Sequence, residues 1–173
     1  MMDNRNLQDG FKGMSEAEIV SQLDKNGVQL EIAIENTLRD YNMGTIVRNA
    51  NAFGVRTVHV IGRKQWNKRG AMMTDKYLHM KYYVDTESFQ TEMKTNDIPI
   101  FAIDNNCISE SITEIELPEK IVMLFGQEGP GLSDELRNIA LKTLHIPQKG
   151  STRSMNVGVA SGIALYEWAR QQS

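Results

Sequence analysis

Residues 120–133, KIVMLFGQEGPGLS, carry an apolar run directly into a glycine-rich turn. The run 120–125 shows no polar alternation, which is typical of a strand buried on both faces of a sheet. Glycines in the turn allow positive φ angles and a close approach of the backbone to a ligand. Ser133 can then cap a helix that runs through Leu141. The stretch therefore predicts a strand, a loop and a helix of an α/β fold.

The same alternation extends outward on both sides of this stretch. Apolar strand patterns occupy 28–34, 57–61, 98–103 and 144–147, and helical patterns occupy 44–53, 88–96 and 155–171. This order predicts an α/β fold with a mostly parallel sheet and helices on both faces. Ligands of such sheets bind outside the carboxyl ends of the strands. The longest polar connection, 104–119, is expected to be mobile.

A short N-terminal helical arm, 1–27, precedes a single domain at 28–173. Ser15 and Glu18 have the spacing of a capping box, and a short apolar stripe reaches Leu23 before Gly27 ends the helix. Two roles are open for this arm, because it can dock on the domain or contact a substrate.

The composition excludes several classes of protein. Of the 173 residues, 40% are hydrophobic and 24% are charged, so the chain is neither disordered nor collagen-like. The single cysteine, Cys107, excludes a disulfide framework and a multi-cysteine metal site, and we expect no metal. No apolar run approaches the roughly 20 residues of a membrane span, and the polar N-terminus does not resemble a signal peptide. We therefore expect a cytoplasmic protein without a membrane partner.

A basic cluster follows the strand at 57–61, although the net charge of the chain is −3. The net charge excludes a uniformly basic protein but not a local basic patch. The cluster surrounds Trp66 with four cations, Arg63, Lys64, Lys68 and Arg69. It is either a solvated loop or a phosphate-binding patch with a stacking aromatic ring.

Arg48 stands out in the segment 42–50, NMGTIVRNA, which opens a predicted helix. Asn42 can be an ordinary helix cap. Apolar residues surround Arg48 on a helix that we expect to be largely buried, and a buried arginine requires an anionic partner. Glu128, in the glycine-rich turn, is the obvious carboxylate for such a pair.

The segment 146–157, IPQKGSTRSMNV, is polar, small and basic before it enters the last helix. Ser154 can cap that helix, and the first backbone N–H groups of the helix suit a carboxylate or phosphate. By contrast, the P-loop, dinucleotide-binding, zinc-protease and serine-hydrolase motifs are absent from the sequence. We interpret the dispersed histidines, among them His59 and His145 in predicted strands, as structural or surface residues.

Taken in order, these three segments resemble the three motifs of the SpoU (TrmH-like) RNA ribose methyltransferases of the SPOUT superfamily. Asn42-x-Gly44-Thr45-x-x-Arg48-x-Ala50 matches the first motif, 125–133 the second, and 146–157 with Tyr166 and Glu167 the third. The resemblance covers 28–173, nearly the whole chain. Gly158 stands where serine is more typical of the family.

The resemblance implies a fold, a cofactor and a site. The expected sheet ends in a C-terminal deep trefoil knot, and the expected cofactor is S-adenosylmethionine, held at Ile103, Gly126, Ile146 and Met155. The family transfers a methyl group to a ribose 2′-OH of structured RNA, here tRNA rather than rRNA, and works as a homodimer whose partner chain completes each active site. The implied catalytic residues are Arg48, Asn42, Glu128, Ser154 and Asn156.

RNA binding would then fall to the domain itself and to the short arm. The candidate contacts are the basic residues Arg63, Lys64, Lys68, Arg69, Lys149 and Arg153. Two alternatives stay open: methylation of a base within the superfamily, and a catalytically idle RNA-binding or dimerisation module. The first motif with Arg48 argues against base methylation, and the presence of Arg48, Glu128 and Asn156 argues against the idle module. A guanidinium has no spare lone pair, so the role of Arg48 is also open.

Overall fold

One parallel sheet organises the part of the chain that this computed structural model describes, residues 7–38, 40–105, 108–152 and 154–173. Its seven strands lie in the order β3-β2-β1-β6-β4-β7-β5. All paired strands are parallel. The strands are β1 (Leu30–Asn36), β2 (Thr57–Gly62), β3 (His79–Tyr83), β4 (Ile100–Ile103), β5 (Glu110–Ser111), β6 (Ile121–Phe125) and β7 (Lys142–His145). The predicted α/β class with a mostly parallel sheet is confirmed.

The described chain has five α-helices. They are α1 (Glu16–Lys25), α2 (Met43–Ala52), α3 (Thr86–Thr95), α4 (Asp134–Asn138) and α5 (Val157–Gln171). Four of them, α2 to α5, cover the sheet from both sides. One apolar core joins α2 and α5 to the sheet, and a second joins α3 and α4 to it. Strands β4 and β6 are buried on both faces, and their sequences are apolar without alternation, as expected for a covered parallel sheet. Strand β1 is also largely buried but carries Glu31, Glu35 and Asn36.

The strand register brings the carboxyl ends of four central strands to one level. Phe125 of β6 lies opposite Ile34 of β1 and Ile103 of β4, and Ile103 also lies opposite Leu144 of β7. The loops that leave these strands therefore meet at one edge of the sheet. This edge is where parallel α/β proteins bind ligands.

Some predicted element bounds are wrong. Strand β7 begins at Lys142, two residues before the predicted start, and α4 ends at Asn138 rather than Leu141. Strand β3, with the sequence HMKYY, lies at the sheet edge and was not predicted, because its mostly exposed side chains leave no apolar run.

The N-terminal arm docks on the domain in the described structure. Its capping box is present: the Ser15 hydroxyl accepts a bond from the Glu18 amide, and the Glu18 carboxylate accepts one from the Ser15 amide. The Ser15 amide and the Ser15 hydroxyl both donate to this carboxylate, and these two bonds lower the pKa of Glu18. Ile19 is 2% exposed, and α1 contacts the short 3₁₀-helix at Thr74–Tyr77.

The long connection after β4 is packed where the structure describes it. Ile112 and Leu117 are buried, and Leu117 exchanges backbone-to-side-chain hydrogen bonds with Gln171 and Gln172 at the end of α5. The prediction of a mobile loop is therefore wrong for this portion. Cys107 lies outside the described residues.

Two histidines confirm the structural interpretation. His59 is fully buried and joins the Tyr83 hydroxyl at 2.9 Å and the Glu31 carboxylate at 2.5 Å. Burial raises the pKa of Tyr83, with a further contribution from Glu92. His79 bonds to Asp24.

Among the described residues, no helix has both the length and the apolar character that a membrane crossing requires.

Candidate active site

A cavity of about 340 Å³ lies at the carboxyl ends of β4, β6 and β7. Four apolar or small residues predicted to hold a cofactor line it together: Ile103, Gly126, Ile146 and Met155. Three loops, which are far apart in sequence, supply these residues because the strand register brings the strand ends to one level.

The turn after β6 forms one wall of the cavity. Gln127 and Gly131 exchange backbone hydrogen bonds of 3.0 and 3.1 Å, which close a tight loop between them. Gly129 and Gly131 have φ angles of 99° and 73°, which favour glycine. A Cβ on Gly126 would lie 2.3 Å from the carbonyl carbon of Gly131. Position 126 therefore requires glycine because the backbone of Gly131 lies too close for a side chain. The sequence analysis instead attributed the glycines of this turn to the close approach of a ligand.

Three polar side chains, one from each sequence motif, meet at the rim of this cavity. The Asn42 amide donates to Glu128 at 2.6 Å, and the Asn156 amide donates to Asn42 at 3.0 Å and to Glu128 at 3.4 Å. We call this group the rim triad. The loops that carry the three residues are fixed to one another by it.

The rim triad corrects two sequence interpretations. Asn42 occupies the cap position of α2 but makes no capping hydrogen bond, because its side chain is turned to Glu128 and Asn156. Glu128, in turn, bonds to Asn42 and Asn156 and not to Arg48.

Arg48 is exposed and forms no ion pair with any described residue, so the expectation of a buried, paired arginine is wrong. Ile46, Val47 and Ala50 fill the buried side of α2. Arg48 projects from the opposite side. It does not line the cavity.

The start of α5 is capped by Asn156, two residues after the predicted cap. The Asn156 side-chain oxygen accepts a bond from the Val159 amide at 3.2 Å. Ser154 is exposed and lines the cavity instead. Because Asn156 both caps α5 and joins the rim triad, the beginning of the last helix is tied to the cavity.

Two buried carboxylates that sequence reasoning missed hold the far end of the glycine-rich turn. Asp104, 6% exposed, accepts a bond from the Leu132 amide, and Glu35, 4% exposed, accepts one from the Ser133 amide at 2.9 Å. Arg137 pairs with Asp134 and Asp104, which raise its pKa. An acidic residue at the end of an apolar strand was the available sequence signal.

Asp104, Asn105 and His145 also line the cavity. His145 shares a hydrogen bond of 3.0 Å with Ser109. The cavity therefore combines apolar walls with carboxylate and amide groups, which suits a ligand that has both an apolar part and a positive charge.

The basic cluster after β2 differs from its predicted form. Trp66 is only 8% exposed and packs in the core, so it cannot offer a free stacking face. Lys68 lies 2.7 Å from Asp75, whose hydrogen bond raises the pKa of this lysine. Arg63, Lys64 and Arg69 are exposed, as is Lys149 in another loop. Arg153 lies outside the described residues.

A parallel α/β sheet with a polar-rimmed cavity at its carboxyl edge defines this chain as an α/β ligand-binding domain. A sequence model of the SpoU rRNA methylase family matches residues 29–166. The chain therefore belongs to the SpoU family.

Curated relatives include two tRNA (guanosine(18)-2′-O)-methyltransferases. The enzyme of Aquifex aeolicus is 30% identical over 154 residues, covering 87% of this chain and 73% of its own length. The enzyme of Escherichia coli K12 is 27% identical over 159 residues, covering 90% of this chain and 69% of its own length.

Solved structures agree with this relationship. The TrmH/SpoU tRNA modifying enzyme of A. aeolicus superposes with a TM-score of 0.78 at 28% identity, over 91% of this chain and 82% of that one. A structure concerned with 2-OH methylation of C/U34 on tRNA gives 0.73 at 26% identity, over 83% and 95% of the two chains. An AdoMet-bound rRNA methyltransferase of Sinorhizobium meliloti superposes with a TM-score of 0.75 at 26% identity, over 83% of this chain and 57% of that one.

Proposed function

We infer that this chain is an S-adenosylmethionine-dependent methyltransferase that acts on a ribose 2′-OH of RNA. The observation that carries the inference is the meeting of the three motif segments at one cavity through the rim triad. Relatives across the SpoU family are named RNA 2′-O-methyltransferases, which supports the same reaction.

The cavity fits S-adenosylmethionine in size and in chemistry. A volume of about 340 Å³ lies in the usual range of small-molecule sites. Ile103, Ile146 and Met155 offer apolar contact, and the carboxylate of Glu128 favours a cationic ligand. When bound, the cofactor supplies an electrophilic methyl group on a sulfonium.

The polar residues at the rim would orient the ribose at the mouth of the cavity. The bound cofactor would supply the methyl group, and the hydroxyl proton that this group replaces would pass to solvent. Asn42, Glu128, Ser154 and Asn156 orient the ribose, and Arg48 stabilises the negative charge that develops on the 2′-oxygen. A guanidinium donates hydrogen bonds but does not accept a proton at neutral pH, so charge stabilisation is its suitable role.

We propose tRNA as the substrate class. The tRNA-modifying relatives cited above support this choice. Phosphate contacts would come from Arg63, Lys64, Lys68, Arg69 and Lys149, which are exposed, and from Arg153. We place the reaction in the cytoplasm.

We further propose that the protein is a homodimer and that the catalytic domain begins at residue 28, after the N-terminal arm. The start of the family match at residue 29 supports the boundary. A groove between α2 and α5 supports the dimer, because it exposes Val159, Ile163 and Tyr166. The family fold further supports a C-terminal trefoil knot.

The test is methyl transfer from labelled S-adenosylmethionine to total tRNA and, separately, to rRNA. Nuclease digestion and mass spectrometry then identify the product nucleotide. We expect a 2′-O-methylated nucleotide in the tRNA pool. Label on a base would favour the base-methylation alternative, and absence of both transfer and cofactor binding would favour the idle module.

A further inference from the structure

A second cavity, also of about 340 Å³, lies between the N-terminal arm, the end of α2 and the segment 68–77. We call it the arm pocket. Its apolar walls come from both the arm and the segment after β2, among them Leu7, Phe11, Leu23, Met72 and Met73. The arm pocket shares no lining residue with the cavity at the carboxyl ends of the strands.

Two methionines on strained backbone form the outer wall of the arm pocket. Met72 and Met73 have φ angles of 49° and 65°, in the left-handed region that disfavours side chains. Each is about half exposed, 50% and 51%. Residues held in strained backbone conformations cluster at active sites and at ligand-contacting segments. Methionine adapts well to flat ligands because it is flexible and polarisable.

The arm pocket has a positive rim. Lys68, Arg69 and Lys76 line it, and its described lining includes no aspartate or glutamate. Lys68 is paired with Asp75 at 2.7 Å, and Lys76 lies 3.9 Å from Glu16. Arg69 is exposed and has no ion pair with any described residue. An anionic group of the ligand would therefore meet Arg69 first.

The arm pocket lies next to Arg48 along α2. Gly44 of α2 packs against the backbone of Gly70 and Ala71, and Asn51 of α2 lines the pocket. Arg48 lies four positions after Gly44 and three before Asn51, and residues at these spacings share one side of a helix. Arg48 therefore lies between these two contacts along α2.

We propose that the arm pocket binds one nucleotide of the RNA substrate, a neighbour of the nucleotide that is methylated. Its base would lie against Met72, Met73 and Phe11, and its phosphate would contact Arg69. This inference rests on the proposed RNA methyltransferase function. The size, the apolar walls and the cationic rim of the pocket fit a nucleotide better than an apolar peptide.

The test is the double variant Met72→Gly/Met73→Gly, with binding to total tRNA as the readout. Glycine accepts positive φ angles, so the double variant removes both side chains and relieves the backbone. We expect an unchanged or higher melting temperature. The dissociation constant for tRNA should rise about 5-fold or more, which is the lower end of the effect of losing one stacked base.

Two further variants separate the apolar and ionic parts of this proposal. Arg69→Ala should lower the slope of log affinity against log salt by about 0.7–0.9. Leu141→Ala is the matched control, because Leu141 is 69% exposed at the opposite edge of the sheet. It should leave tRNA binding unchanged.

The outcomes distinguish this proposal from the proposed function. Unchanged tRNA affinity of the glycine double variant would overturn nucleotide binding by the arm pocket. If the oligomeric mass of this variant changes while its tRNA affinity does not, the pocket is a protein contact instead. If the wild-type chain binds tRNA but transfers no methyl group, the proposed reaction is wrong. The tRNA affinities of the variants then still show whether the arm pocket binds a nucleotide. A wild-type chain that binds neither tRNA nor rRNA overturns both.

Discussion

At the scale of single residues, Arg48 offers a clean test of catalysis because it is exposed and unpaired within the described chain. Replacing Arg48 breaks no ion pair with the described residues. We expect Arg48→Ala to lower methyl transfer at least about 100-fold, as for other losses of a charge-stabilising donor. The melting temperature and the affinity for S-adenosylmethionine should stay unchanged.

The matched control for Arg48 is Lys94→Ala, which removes an exposed cation from α3, on the other face of the sheet. It should leave methyl transfer intact. Transfer by Arg48→Ala at more than about a tenth of the wild-type rate would refute the catalytic assignment.

Gly126 tests how tightly the cavity wall is built. Its replacement by alanine would place a Cβ 2.3 Å from the carbonyl carbon of Gly131, so the loop must shift. We expect Gly126→Ala to weaken S-adenosylmethionine binding at least about 10-fold, measured by calorimetry. Gly10→Ala is the control, since no atom lies within 4 Å of the added carbon. Equal affinities of the two variants for S-adenosylmethionine would show that this loop does not contribute to cofactor binding.

The residue scale also shows where sequence reasoning succeeds and fails. The motif spacing identified Asn42, Glu128 and Asn156, which the structure brings together. The burial of Arg48 was misjudged because apolar neighbours in sequence lie on a different side of the helix. Asp104 and Glu35 were missed, since their bonds to the turn at 132–133 depend on tertiary contacts.

At the scale of elements, the start of α5 combines helix capping with active-site geometry in one side chain. Asn156 caps the helix through its oxygen and reaches Asn42 and Glu128 through its amide nitrogen. Serine can keep the cap but not the amide contacts. We expect Asn156→Ser to retain nearly the wild-type melting temperature and to lose most of the methyl transfer.

Asn156→Ala is the companion variant, because it loses both roles of the side chain. It should cost about 1 kcal/mol of stability in addition to activity. If Asn156→Ser transfers methyl groups at the wild-type rate, the rim triad is structural and does not orient the ribose.

The end of α5 predicts a dependence of stability on pH. Glu167 is buried and accepts bonds from Arg170 and then Gln171, which lower its pKa below 4.5. A lowered folded-state pKa gives stability that is present above the unfolded value and is lost as pH falls through the folded one.

Melting curves between pH 6 and pH 3 test this dependence. We expect Glu167→Gln to melt about 2–4 °C lower than the wild type at pH 6. The difference should shrink on acidification, because the wild-type carboxylate becomes protonated. Glu114→Gln, at an exposed position, is the control and should track the wild type. A constant difference at every pH would show that the charge of Glu167 is not responsible.

The predictable elements were those with a strong apolar signal. The central strands β4 and β6 are apolar runs buried on both faces, so their sequences alone reveal them. Strands β3 and β5 lie at the two edges of the sheet, and β5 has only two residues. Their pairing depends on the neighbouring strand, which no local pattern records.

At the scale of the whole molecule, the exposed face formed by α2 and α5 bears on how the site is completed. The two helices approach closely because Gly158 packs against Thr45, and Asn49 donates to the Gly158 carbonyl at 2.8 Å. The outer face exposes Val159, 54%, and Tyr166, 60%. A self-complementary contact on this face would build a two-fold dimer and would place Arg48 of one chain near the other.

Because Arg48 does not line the cavity of its own chain, we expect it to act on the cofactor bound by the partner chain. Mixed dimers of Arg48→Ala and Gly126→Ala chains test this arrangement. In such a dimer the Arg48→Ala chain has an intact cavity and the Gly126→Ala chain has an intact Arg48. These two parts form one complete site only if Arg48 acts across the interface. Co-expression should then restore about a quarter of the wild-type activity, since half of the dimers are mixed and each has one complete site.

If Arg48 acts within its own chain, every site in the mixture lacks either the arginine or an intact cavity wall. Activity would then stay at the level of the separate variants. Disrupting the interface with Ile163→Glu, on the exposed outer face, should abolish the restored activity and halve the mass measured by sedimentation. Restored activity in a monomeric preparation would contradict the shared site, because a monomer offers no second chain to supply Arg48.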